Sequence, residues 1–227
     1  MGQKVHPEVF RLGVISSWKS RWFNKKEYKD FLAEDIVIRD FILKKLSKSG
    51  IQAVEIERSA NSVNIVIKTA RPGLIIGRGG SGAEDLKKEL TLDLWRKIWK
   101  NKGISNPEKS KRILKIQIEE IKSPDTYAQL VAQSIASEIE KRIPFRRVMK
   151  KTIERVTQNK EVQGIKVMIS GRLDGSEMSR SEHLHWGKIP LQTLRANIDF
   201  ARANAYTAYG VVGVKVWIYK GEVFGEK

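Results

Sequence analysis

Apolar positions along this chain repeat with two periods, and the places where the period changes divide it into elements. In residues 35–49, DIVIRDFILKKLSKS, the side chains of Ile38, Phe41, Ile42 and Leu46 recur at helical spacing, and Gly50 follows as a natural stop. AVEIER (53–58) and VNIVIK (63–68) alternate apolar with polar residues, which predicts two strands joined by a hairpin turn at Ala60-Asn61-Ser62. Arg71-Pro72-Gly73 breaks the second run, Leu74-Ile75-Ile76 reads as a short helical turn, and residues 83–100 predict a helix carrying Leu86, Leu90, Leu94 and Ile98 in register. A loop is expected around Asn101-Lys102-Gly103 and Asn106-Pro107, and residues 113–120 alternate again as a third strand.

Ser123-Pro124 predicts a new helix, with Ser as the cap and Pro in the first turn, because Tyr127, Val131, Ile135 and Ile139 follow at helical spacing. Pro144 interrupts, and a second helix is expected from Phe145 to about residue 159. Beyond Gly164 the period becomes two. Ile165, Val167 and Ile169 oppose Lys166, Met168 and Ser170, and later Val212, Val214, Val216 and Ile218 oppose Lys215, Trp217 and Tyr219. Further strand is expected between residues 178 and 202. Residues 1–33 are basic and aromatic with weak periodicity and read as an arm holding at most a short helix. The expected organisation is an arm (1–33), a first domain (34–122) and a second domain (123–227), of α+β class.

Charge narrows the function. The 227 residues carry 43 Lys and Arg against 26 Asp and Glu, a net charge of +17, while a hydrophobic content of 41% is enough for real cores. Such a surplus repels itself in a folded protein and makes most sense beside a polyanion, with nucleic acid ahead of an anionic membrane surface. No apolar run approaches twenty residues and MGQKVHPEVF lacks the apolar core of a signal peptide, so no membrane partner is expected and the cytoplasm is the default compartment. Cys is absent, which excludes disulfides and thiolate metal sites.

The glycines of LIIGRGGSG (74–82) are the most pointed local signal. Gly77-x-Gly79-x-x-Gly82 matches the dinucleotide fingerprint, but that fingerprint needs a strand leading straight into the turn, and here five residues and a helical turn intervene. A P-loop fails because no Gly-Lys-Ser/Thr follows. Gly77-Arg78-Gly79-Gly80 instead fits the GXXG loop of a KH domain, which joins two helices and holds the backbone of about four nucleotides. Glycine lets that backbone approach, the following helix start offers amide donors, and Arg78 adds charge. Replacing Gly77 or Gly80 with Asp is expected to leave the fold intact and cripple the RNA surface.

The second signal is FRRVMKKTIERV (145–156), where Phe145, Val148, Met149, Ile153 and Val156 form one face and Arg146, Arg147, Lys150, Lys151 and Arg155 the other, with Glu154 as the one acid. His183-Leu184-His185 is a poor metal ligand set without Cys, so no metal and no cofactor are expected. Trp186 reads as packing or base stacking, and Trp95 and Trp99 as packing. No nucleophile–base–carboxylate spacing suggests an enzyme.

In five blocks the chain resembles the bacterial small-subunit ribosomal protein S-three family: MGQKVHP (1–7), TARPGLIIGRGG (69–80), FRRVMK (145–150), GIKVMISGRL (164–173) and RANIDFARANAYTAYGVVGVKVWIYKGE (195–222). The resemblance implies a type II KH domain followed by a two-layer domain of two helices on a four-stranded, mainly antiparallel sheet. It implies a structural constituent of the small-subunit head that binds small-subunit rRNA and neighbouring ribosomal proteins, and contacts mRNA where message enters, helping to unwind it. Arg146, Arg147 and Lys150 match the family's mRNA-entrance residues. Lys4, His6 and Arg11 match an rRNA-contacting arm, and Arg172 and Arg180 are further candidates for rRNA contact. The stretch 91–112 is longer than the family's usual, and the chain stops soon after Gly221 without the basic tail of many members, a departure that bears on tail-mediated rRNA contacts and not on the core function. Two rivals remain: a free KH regulator of RNA, and a nucleotide-dependent enzyme using the glycine fingerprint.

Overall fold

The computed structural model describes residues 4–59, 62–99 and 113–224. They fall into two units, one of residues 18–122 and one of residues 123–224 together with 4–17.

In the first unit, strands β2 (Ile51–Arg58) and β3 (Ser62–Thr69) pair antiparallel, with Val54 opposite Ile67 and Ile56 opposite Ile65. Strand β4 (Ile113–Glu120) joins β3 in parallel, and the two residues of β1 (Ser20–Arg21) run parallel to the other side of β2. Helices α2 (Tyr28–Lys45) and α4 (Ser81–Leu94) lay Ile38, Ile42, Leu86, Leu90 and Leu94 on the strand residues Ile56, Ile65 and Ile67 to close the core. Burying each such side chain stabilises the unit by ~1.5–3 kcal/mol. The turn expected at Ala60-Asn61 and the loop at 101–107 lie outside the described residues, as does most of the long stretch 91–112.

Helix α2 begins seven residues before the expected Asp35. Asn24 accepts the N–H groups of Lys26 and Glu27, and Trp22 packs on Tyr28 and Phe31 at 5.4 and 5.3 Å. The apolar pattern is broken there because Glu34 and Asp35 are buried, bonded by Arg58 of β2 at 2.7 and 2.5 Å. Asp35 also accepts from Ser20 Oγ and Trp22 Nε1, both at 2.8 Å, and so ties residues 20–22 to the sheet. After a 3-10 turn, Gly50 stops the helix with φ 66°. Helix α4 starts two residues earlier than expected and passes into a π turn, Trp95–Trp99.

In the second unit, strands β5 (Gly164–Gly171), β6 (Arg180–Gly187), β7 (Ala196–Thr207) and β8 (Gly210–Glu222) form an antiparallel sheet in the order β6-β5-β8-β7. Helices α5 (Ala128–Glu140) and α6 (Phe145–Thr157) cover one face, burying Val131, Ile135, Val148 and Met149 on Ile165, Val167, Val214 and Val216. Ser123-Pro124 does not open α5. It opens a 3-10 turn, Pro124–Thr126, and the first amide of α5, at Ala128, donates 2.8 Å to the Asp199 carboxylate of β7. A capping group supplied from 71 residues downstream replaces the local Ser cap.

The opposite sheet face carries Ile198, Phe200, Trp217 and Tyr219 at one end. Residues 4–17, with the four-residue helix α1 (Pro7–Phe10), lie on it, and the His6 ring stands edge-on to Phe200 at 4.8 Å. The expected arm 1–33 is therefore divided: residues 4–17 belong with the second unit and 18–33 with the first.

Candidate nucleic-acid interface

Glycine backbone shapes the first candidate. Helix α3 (Gly73–Ile76) ends at Gly77, which has φ 70° and ψ −176°, a region open almost only to glycine. Arg78–Gly80 form a tight turn, with Gly79 at φ 63°, ψ 17° and Gly80 at φ 85°, ψ −5°. Gly80 then caps α4, whose first N–H groups have no intrahelical acceptor. The loop joins two helices, as a GXXG loop requires. Gly82 serves packing: a Cβ there would stand 2.7 Å from Ile75 O, so the helices can meet this closely only at glycine. That accounts for the third glycine of the fingerprint without a nucleotide.

The same geometry corrects one expectation. A Cβ at Gly77 would sit 3.1 Å from Gly82 N on a glycine-only backbone, so Gly77→Asp strains the loop as well as its surface. Gly79 has nothing within 4 Å and a left-handed conformation that Asp tolerates. Gly79→Asp is therefore the cleaner probe. Circular dichroism of the full chain is expected to stay unchanged while affinity for a short single-stranded RNA falls about tenfold through charge repulsion.

The second candidate is α6. Phe145, Val148, Met149, Thr152 and Val156 are buried, which turns Arg146, Arg147, Lys150 and Lys151 outward. The four cations are not equivalent. Arg146 reaches across to β6 and donates from Nε and Nη2 to the two carboxylate oxygens of Glu182, both at 3.2 Å. Arg180 donates to the same carboxylate at 3.0 Å, and both guanidiniums lie over the Phe145 ring, at 5.6 and 5.8 Å. The Arg146 hydrogen bond chiefly, then that from Arg180, pulls the Glu182 carboxyl below its ordinary range, and the same pairing raises Arg146. Arg155 is likewise paired, with Asp125 at 2.8 Å. Arg147, Lys150 and Lys151 make no ion pair among the described residues and remain open to phosphate.

Glu182 escapes a reading that takes the helix alone. Period two gave a signal: Leu184 packs against the helix-side core, so Glu182, two residues away, faces α6 as well.

The remaining candidates divide. Lys4 is exposed, and Arg172 is exposed with Nε donating 2.9 Å to Ser176 O and its guanidinium 5.7 Å from the Tyr209 ring centroid. Arg11 does not belong to an RNA surface. It is 1% exposed, and its guanidinium donates to five backbone carbonyls: Ala196 (2.6 Å), Pro7 (3.0 Å), Pro190 (3.3 Å), Leu191 (2.9 Å) and Thr193 (2.8 Å). Burial lowers its pKa, and its work is to pin the segment 4–17 to β7 and the loop before it. His183 and His185 stack at 6.5 Å on one face of β6, and Trp186 on the other is 45% exposed. No helix among the described residues is long and apolar enough to cross a membrane.

Comparison with known proteins gives two matches along the chain. Residues 37–126 match the family model of the KH domain, and residues 135–218 that of ribosomal protein S3, C-terminal domain. The small ribosomal subunit protein uS3 of Clostridium botulinum is 50% identical over 228 residues, covering 100% of this chain and 96% of the relative. Those of Caldicellulosiruptor saccharolyticus and Listeria monocytogenes are 49% and 48% identical with the same coverage. A KH unit with a GXXG loop, a two-helix, four-stranded second unit and end-to-end identity near one half make this chain a member of the uS3 family of small ribosomal subunit proteins.

Proposed function

We propose that the chain is a structural constituent of the small ribosomal subunit in the cytoplasm, a binding protein and not a catalyst, held by small-subunit rRNA and neighbouring ribosomal proteins. Its second role is to grip mRNA where message enters. The observation that carries this role is the cation set of α6: Arg147, Lys150 and Lys151 make no ion pair among the described residues, on a helix whose other face is locked into the sheet core. Fixed cations bind phosphate without reading base sequence, as a site that every message passes must do. Arg146 contributes less free charge than its exposure suggests, because it shares the Glu182 carboxylate with Arg180. The GXXG loop adds a site for the backbone of a single strand, and Lys4, Arg172 and Arg180 add rRNA contacts.

Holding a separated strand shifts local base pairing toward open, so loss of the grip matters most where the message is folded. Replacing Arg146, Arg147 and Lys150 together with Ala is expected to spare assembly, since surface changes away from a core cost little stability. It is expected to slow translation several-fold on a message with a stable hairpin after the start, against a matched message without it. Equal slowing on both would point to a defect in assembly or initiation, and no slowing on either would return the cations to an ordinary solvated face.

A further inference from the structure

The sheet face turned away from α5 and α6 has a composition that the message-binding reading does not use. Register lines up His183, Met168, Lys215 and Arg202 in one row across all four strands, and His185, Lys166, Trp217 and Phe200 in the next. A third row is Ser181, Ser170, Gly213 and Asn204. These rows hold no carboxylate. The acids of the strands lie elsewhere: Glu182 is bonded to Arg146 of α6, Asp199 accepts from the first amide of α5, and Glu222 pairs with Arg195 at 2.6 Å.

The segment 4–17 closes only the end with Phe200 and Trp217, and its Lys4 adds a cation beside Lys166. Lys166 Nζ lies 5.6 Å from the Trp217 ring centroid and the Arg202 guanidinium 5.7 Å from that of Phe200. Neither of these, nor Lys215, makes an ion pair among the described residues, in contrast to Arg146, Arg155, Arg180 and Arg195 on the rest of the unit. Burial, and then the charge of Lys4, lower the Lys166 pKa.

We infer that the open part of this face is a second RNA-binding surface, on which a sugar–phosphate backbone crosses the strands over Lys166, Lys215 and Arg202. Strands about 4.8 Å apart put the three cations within roughly 12 Å, a span of a few successive nucleotides. The small residues of the third row keep the floor low, so a backbone can come close. An acidic protein is the weaker match, because a protein interface is built around apolar and aromatic anchors, and the aromatic pair here is already covered. The inference rests on the chain's binding RNA and not on the message role of α6.

The test uses the full chain and a small-subunit rRNA transcript. Lys166→Gln, Arg202→Gln and Lys215→Gln together are expected to weaken binding about tenfold to a hundredfold near 100 mM salt and to lower the slope of log affinity against log salt by about 2–3. In the wild-type chain, the same RNA is expected to protect the Lys166 and Lys215 amines from acylation, a readout that does not depend on the variant folding. Wild-type affinity and slope in the variant, or unchanged amine reactivity under RNA, would overturn the proposal while leaving RNA binding itself intact. Protection that appears only in assembled subunits, and never with RNA alone, would give the face to an acidic protein neighbour and also overturn it. Salt-independent binding by the wild type would remove the RNA reading on which the proposal rests.

Discussion

Between 50 and 200 mM monovalent salt, the affinity of this chain for RNA is expected to fall by roughly 10³–10⁵. The estimate follows from charge. A net +17 in 227 residues leaves an excess of cations even if every Asp and Glu is paired, and Arg147, Lys150, Lys151, Lys166, Lys215 and Arg202 have no carboxylate partner among the described residues. If about six to ten phosphates are neutralised on binding, the same number of condensed counterions is released, and their release is what added salt opposes. The measurement is a titration of rRNA transcript at several salt concentrations, read as log affinity against log salt. A flat line would mean that the basic surface is not the main grip and that aromatic or hydrogen-bonded contacts carry the affinity.

Arg11→Ala is expected to lower the stability of the second unit by about 3–5 kcal/mol and to leave that salt slope unchanged. The buried guanidinium satisfies five carbonyls, with the bonds to Ala196 and Pro7 fully buried and those to Pro190, Leu191 and Thr193 partly so. Removing it leaves buried acceptors without donors, and each such loss costs about 1–3 kcal/mol before the chain relaxes. The segment 4–17 then loses its anchor, and the Phe200 and Trp217 end of the sheet is uncovered. Calorimetry of the full chain reads the effect as a drop on the order of 10 °C in the transition of this unit. Unchanged stability with a slope lowered by about one would return Arg11 to the RNA-contacting residues.

These two expectations draw on different parts of the molecule, and they mark what could be read before the fold was known. Local period specifies elements wherever one face of each is buried on a common core. Ile165, Val167 and Ile169 alternate because α5 and α6 cover only one side of β5, and Leu86, Leu90 and Leu94 recur because α4 meets its sheet along one stripe. The order of elements around Gly77–Gly80 was legible for the same reason, and so were the outward cations of α6.

What period cannot carry is any partnership made across the chain. Arg11 resembled a surface cation because four of its five acceptors lie some 180 residues away in sequence. Glu34 and Asp35 broke the apolar pattern of α2 because Arg58, and not water, bonds them. Ser123 looked like a helix cap, yet the carboxylate that holds the first amide of α5 comes from β7. Alternation likewise assigned Lys166 and Lys215 each to one side of its own strand, while Arg202 and His183 fell in a stretch expected only to hold strand. That these sides are the same side, cleared of carboxylates and left open, is decided by the β6-β5-β8-β7 order and its register, because strand pairing is a contact between distant segments whose free energy no single segment contains.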